Sequence, residues 1–173
     1  GGPRNYKWIN KTQNERVWEQ MHLAWEYGAD QLWIVNVGDL KPMEFPIDFF
    51  LDYAWDPQER PLERLPSWTE EWAAQQFGTA HAAEIAHLLD TYTLYNSRRT
   101  AELLDAKTYS LVNDNEWERV TADYVTLAGK AEALLEEIDP AARDAYLQLV
   151  WHPVVASANL YQMYLAAAKN DLY

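Results

Sequence analysis

At 173 residues, with 49% hydrophobic and 24% charged side chains, the chain is long enough to bury a core of its own as one domain, with or without a small helical piece. A formal net charge of −13 argues against nucleic acid and anionic membrane surfaces as partners. Zero cysteine excludes disulfides, thiol nucleophiles and cysteine-held metals, and no apolar run approaches the roughly 18 residues of a membrane-spanning helix. The chain opens Gly-Gly-Pro without a methionine, so its natural N-terminus is expected to lie upstream.

Residues 1–11 read as a loop rich in glycine, cations, amides and aromatics. Thr12 and Glu15 have capping-box spacing and predict a helix start. Val17, Trp18, Met21 and Trp25 share one face of that helix, and Gly28 is placed to end it. Leu32, Trp33, Ile34 and Val35 form a nearly continuous apolar run with β-branched members, the pattern of a strand buried on both faces of a parallel sheet. Pro46 suits the first turn of the next helix, whose stripe is Ile47, Phe50, Leu51 and Ala54. Asp56-Pro57 ends it. A lone parallel strand cannot satisfy its backbone groups. Residues 1–56 therefore require strands that this sequence does not supply, whether the chain is a fragment or another chain provides them.

Residues 57–66 form a proline-rich, charged linker. Beyond it the pattern is helical. Ser67 and Glu70 predict a start and Gly78 a stop. A long helix from about Thr79 carries Ile85, Leu88, Leu89 and Tyr92, reaching Arg99 and Leu103. Asn113-Asp114-Asn115 interrupts the periodicity. Trp117, Val120, Tyr124, Leu127, Ala131, Leu134 and Ile138 then recur at alternating spacings of three and four, a bundle stripe. Asp139-Pro140 predicts a further start, and Pro153 a kink in the last helix. The fold class is mainly α: a C-terminal βα segment of a barrel-like α/β unit, followed by an antiparallel helical bundle over 67–173.

The apolar run ends in Asn36-Val37-Gly38-Asp39, and strand ends are where α/β proteins hold ligands. An asparagine at the end of a buried strand can hydrogen-bond a ligand hydroxyl or carboxylate, or simply cap the turn at Gly38-Asp39. Arg4, Tyr6 and Lys7 bring cations and a hydroxyl to the first loop, a set suited to an anionic sugar or another carboxylate, or to a solvated surface loop. Nine tryptophans and eleven tyrosines exceed ordinary usage; most are expected in the core, with stacking on sugar faces the alternative. Asp48, Asp52 and Asp56, four apart, read as a solvated acidic face. His22, His81, His87 and His152 show no metal spacing, and no cofactor motif is present.

The segments Gly1-Gly2-Pro3-Arg4-Asn5-Tyr6-Lys7-Trp8-Ile9-Asn10, Val17-Trp18-Glu19-Gln20-Met21, residues 32–42 and Phe49-Phe50-Leu51-Asp52 resemble glycoside hydrolase family 115. Tyr95-Asn96-Ser97-Arg98-Arg99 and Thr108-Tyr109-Ser110-Leu111-Val112-Asn113 continue the resemblance into the helical part. It implies an inverting α-glucuronidase that removes glucuronic acid or its 4-O-methyl ether from α-1,2 linkages on xylan. It also implies that 1–56 is the C-terminal part of a (β/α)8 catalytic barrel and that 67–173 packs on it and pairs two copies. Tyr6 and Asn36 fall in segments that line the uronic acid pocket, joined by Arg4, Lys7 and Asp39; the general acid and base are expected outside this chain. Partners implied are glucuronoxylan or its oligosaccharides, the remainder of the barrel and a second copy, with a secreted or periplasmic location. The other readings are a non-catalytic dimerisation or assembly module and a carbohydrate-binding module.

Overall fold

The structure, a computed structural model, describes residues 9–172. Among them every regular element is a helix. The first pair is α1 (Asn14–Glu26) and α2 (Glu44–Trp55), which pack on each other. The expected capping box at Thr12 does not form. Its N–H is taken by Asn10 Oδ1 at 2.8 Å, and Gln13 occupies the cap position without a side-chain bond. The other end follows the sequence. Gly28 sits at φ +85°, its N–H reaches Trp25 O at 2.9 Å, and the Ala29 N–H reaches Ala24 O at 3.0 Å, a Schellman closure.

The apolar face of α1 (Val17, Trp18, Met21) lies against Phe49, Tyr53 and Leu65. The predicted stripe of α2 is displaced. The buried side is Phe45, Pro46, Phe49, Phe50 and Tyr53, whereas Leu51 and Ala54 are exposed. This helix is apolar on most of its circumference, so composition alone does not fix the phase of its buried face.

The run Leu32 to Val35 is not a strand. Leu32 is 77% and Ile34 87% exposed, and no ladder forms among the described residues. A strand exists only through a neighbour, and none of the described residues offers one. Only Trp33 is held, stacked on Tyr53 with ring centroids 6.0 Å apart, its indole N–H donating to Ala29 O.

Asp48 and Asp56 are exposed, as a solvated face requires, and Asp52 is half-buried, but all three also accept hydrogen bonds. Asp48 accepts the Trp72 indole N–H at 2.7 Å. Asp52 accepts the Trp68 indole N–H at 2.7 Å and both ends of the Arg60 fork at 2.6 and 2.9 Å. These bonds join α2 to α3 (Leu65–Phe77), reinforced by Phe45 edge-on to Trp72 and Phe49 edge-on to Trp68. Asp56 instead accepts from the N–H groups of Gln58 and Glu59, starting a short 3₁₀ turn. A second such turn, Leu62–Arg64, leads directly into α3.

The bundle continues with α4 (Ala82–Arg98), α5 (Glu116–Leu135), the single turn α6 (Arg143–Tyr146) and α7 (His152–Leu172). The main contacts run α3 to α4, α4 to α5, and α5 to α7. Gly78, at φ +90°, closes α3 as expected. The long helix starts later and stops earlier than the sequence suggests, because Arg99 is extended and Leu103 lies in a separate turn. Asp114 and Asn115 adopt left-handed φ values of 54° and 49°, which is how the Asn-Asp-Asn run breaks the chain. Asp139 caps a turn through the Ala141 N–H at 2.8 Å, and helix resumes only at Arg143. The kink expected at Pro153 takes the form of a π-helical turn, Leu147–Trp151, immediately before it. A proline lacks the N–H that an unbroken α-helix needs, and the wider turn absorbs the defect.

Two cores result. One gathers Ile85, Leu88, Tyr92, Leu127, Ala131, Tyr146 and Val150. The other gathers Trp117, Tyr124 and Tyr161, the two tyrosines stacked at 4.0 Å. Most aromatics are therefore core, with Tyr27 and Trp55 conspicuously exposed.

Candidate functional site

Residues 33–42 lie against α2 through Trp33, and Asn36 closes the turn at their centre. Its Oδ1 accepts the Gly38 N–H at 3.0 Å, with Gly38 at φ +71°. This is an Asx turn, the local role open to any asparagine at such a position. The side chain is exposed and its oxygen is committed to the turn, leaving Nδ2 for a ligand. Asp39 is exposed at the tip of the same turn. Lys41 points elsewhere: its Nζ donates to Gln148 Oε1 at 2.8 Å, and Gln148 donates to Glu44 at 2.6 Å, tying the start of α2 to the π turn. Arg4, Tyr6 and Lys7 lie outside the described residues.

A cleft of about 140 Å³ is lined by Thr12, Val35, Asn36 and Val37 together with Met43 and Phe50. The turn carrying Asn36 and the segment leading out of the first loop therefore meet at one place. Asp39 does not line this cleft.

The segment that brings Thr12 there is fixed from below. Ile9 is buried in the first core, and Asn10 is 3% exposed. The Asn10 N–H donates to the Tyr92 hydroxyl at 2.5 Å, and its C=O accepts from Asn96 Nδ2 at 3.2 Å. Asn96, on α4, is itself 2% exposed and accepts the Tyr124 hydroxyl at 3.0 Å. Its Nδ2 also approaches Ser157 Oγ at 3.5 Å, and Ser157 donates to Pro153 O at 2.7 Å. Lys11 adds a bond to Thr100 Oγ1 at 2.9 Å. Two α4 residues thus hold the Asn10 backbone, and α5 and α7 reach one of them, Asn96. Burial pushes the Tyr92 hydroxyl well above the usual phenol range, so it acts here as a neutral hydrogen-bonding group.

None of this network was singled out by the residue types alone. The available signal was an asparagine in a helix interior, where it is a poor helix former and invites a specific partner. The carboxylates nearest to a polar cleft, Asp48 and Asp52, are occupied by indole and guanidinium donors. The hydrogen bonds from Arg60 hold the Asp52 carboxyl below its ordinary range. They serve the joint between α2 and α3 rather than proton transfer. Among the described residues no cluster of histidine and carboxylate groups is arranged to hold a metal, and no helix is long and apolar enough to cross a membrane.

The family model for glycosyl hydrolase family 115 matches residues 1–103. Among solved structures, a novel family 115 4-O-methyl-α-glucuronidase with specificity for decorated arabinogalactans has the same fold. It aligns with a TM-score of 0.81 at 23% identity, over 95% of this chain and 23% of its own. The chain thus spans less than a quarter of that protein's length. No curated protein matches the chain. More than half of the sequence lies under one family model, and the likeness in fold carries on through the helices beyond it. The chain belongs to glycoside hydrolase family 115.

Proposed function

We propose that the protein to which this chain contributes removes glucuronic acid, or its 4-O-methyl ether, from α-1,2 linkages on xylan by inverting hydrolysis. On this reading residues 1–56 complete a (β/α)8 barrel, 57–66 connect, and 67–173 form the bundle that packs on it. Arg4 and Lys7 meet the uronate carboxylate, while Tyr6, Asn36 and Asp39 serve the sugar hydroxyls. The observation that carries the reading is the shared cleft, where the turn bearing Asn36 meets the chain emerging from the first loop. The exposed Leu32, Ile34 and Val35 support it as well, being the residues a barrel strand would present to neighbouring strands and helices. The general acid and base are supplied from elsewhere in the barrel. The location is secreted or periplasmic, where plant polysaccharide is met.

The test is release of the uronic acid, followed by anion-exchange chromatography, from glucuronoxylan oligosaccharides by the full-length protein and by the 173-residue chain. The full protein is expected to release it and the chain alone to be silent. Release by the chain alone overturns the placement of the acid and base. The specificity of the structural relative favours a second substrate, the same uronic acid on decorated arabinogalactan, so both polymers belong in the assay. A non-catalytic dimerisation module is favoured instead by the apolar groove of about 450 Å³ between α4 and α5, lined by Leu88, Ala133 and Leu134. A protein that sediments as a dimer and releases no uronic acid from either polymer decides for that reading.

A further inference from the structure

We propose that Asn96 is a positioning residue for the sugar site: its amide, from within the helical bundle, sets the backbone that leads to Thr12 at the cleft. The inference rests on the uronate-binding reading above. Thr12 follows Asn10 by two residues and lines the cleft with Asn36. Asn10 is therefore the point at which the bundle fixes the segment that lines the cleft.

At that point the backbone has both polar groups held by the bundle. The N–H is held by Tyr92 at 2.5 Å, and the C=O by Asn96 Nδ2 at 3.2 Å. The side-chain oxygen turns back onto the Thr12 N–H at 2.8 Å. Asn96 is the member that links helices. It gives Nδ2 to Asn10 and takes the Tyr124 hydroxyl on Oδ1, so α4 and α5 together orient its amide. A buried polar group that is fully paired specifies one arrangement, because any slip of residues 9–12 leaves an amide or carbonyl dry and unpaired. A bundle that needed only stability would fill this interface with apolar side chains at lower cost. What the polar network adds is register, and the residues whose register it sets are those that lead into the candidate site. A displacement of about 1 Å in a substrate-positioning group is enough to cost a large factor in turnover of dilute substrate.

The experiment uses the full-length protein and compares Asn96→Asp, Tyr124→Phe and Val150→Ala. Asn96→Asp retains the acceptor for Tyr124 and removes the donor to the Asn10 carbonyl. Val150→Ala opens the first core and removes no hydrogen-bonding group of the network. The expected result is a KM for glucuronoxylan oligosaccharide raised about tenfold or more in Asn96→Asp, with kcat changed far less. Amide hydrogen exchange at residues 10–12 should accelerate in parallel. Tyr124→Phe should give a smaller rise, and Val150→Ala should lower the thermal midpoint with KM unchanged. An unchanged KM in Asn96→Asp, or unchanged exchange at residues 10–12, overturns the inference while leaving the function standing. A wild-type protein that releases no uronic acid overturns the function, and the inference with it.

Discussion

Asp90, on α4, is half-buried and receives a hydrogen bond from the Thr69 hydroxyl on α3 at 3.2 Å. Burial, reinforced by the negative charge of Glu15 on α1 and opposed by the Thr69 bond, pushes its carboxyl from 3.8 up to about 7. A carboxyl that binds its proton more tightly in the folded than in the unfolded chain favours the fold fully below pH 3.8, and that contribution is lost as pH rises through 7. Asn in its place still accepts from Thr69 and carries no charge. Asp90→Asn should therefore leave stability near that of wild type at pH 4 and raise it by about 1–4 kcal/mol at pH 8. Urea midpoints at the two pH values check this; a gap that stays constant with pH would show that the charge of Asp90 is not the cause. The same scale shows where the sequence is hardest to read. Asn36 and Asn96 are both asparagines, yet one turns a loop at the surface and the other links α4 and α5 to the backbone of Asn10. Residue type does not separate them, because the difference lies in what is brought up from 60 or more positions away: Ser157 is 61 residues from Asn96, and Asn10 is 86.

At the scale of elements, the chain's local punctuation is reliable where backbone conformation decides. Gly28, Gly78 and the Asp114-Asn115 pair all take the positive φ their positions call for. Around Gly28 a Cβ would meet nothing within 4 Å, so a substitution there is resisted by φ alone. Gly28→Ala should cost about 1 kcal/mol and lower the thermal midpoint by roughly 2–4 °C, read by calorimetry. No change in midpoint would mean that α1 frays at its end without consequence for the fold. Capping boxes are less legible, since Thr12 and Ser67 each have the right spacing, yet neither caps its helix. Thr12 loses its chance because Asn10 takes its N–H, and Ser67 donates backwards to Arg64 O at 3.0 Å. The stripe of α2 is displaced because the helix is apolar around most of its circumference, while along it Asp48 stays exposed and Asp52 is half-buried under Trp68 and Arg60.

For the molecule as a whole, the distribution of apolar surface is uneven. Tyr27, Leu32, Ile34, Leu40, Leu51 and Trp55 are all exposed on the part built from α1, α2 and the run between them. Exposed apolar groups collected in one region mark a surface that something else covers, which fits the proposed barrel. Ile34→Asp discriminates this. In the 173-residue chain, where Ile34 is already in water, it should change stability by no more than about 0.5 kcal/mol. In the full-length protein it should cost several kcal/mol, about 2–4, by burying a charge without a partner. Equal effects in the two backgrounds would show that Ile34 remains in water in both. The mainly helical character and the bundle stripe of α5 are legible in the sequence because they depend on spacing within one element. The run Leu32 to Val35 reads as a strand in the sequence and is not one among the described residues, since apolar β-branched spacing does not supply the neighbour that a strand needs.

The π turn before Pro153 has a consequence for phase. A turn of that kind holds one residue more than an α-helical turn, so everything after it is rotated by about 100° relative to an uninterrupted helix. Tyr146 precedes the turn, Val150 lies within it and Val154 follows it, and all three face the first core, whereas Ser157, Ala158 and Tyr161 further along face Asn96 and the second core. The extra residue is taken up within the turn, so the helix beyond it keeps its aim. Removing one residue from Leu147–Trp151 would restore an ordinary α-helical turn and leave Ser157, Ala158 and Tyr161 facing as they do, whereas closing the wide turn with every residue kept would rotate them away from Asn96 and the second core.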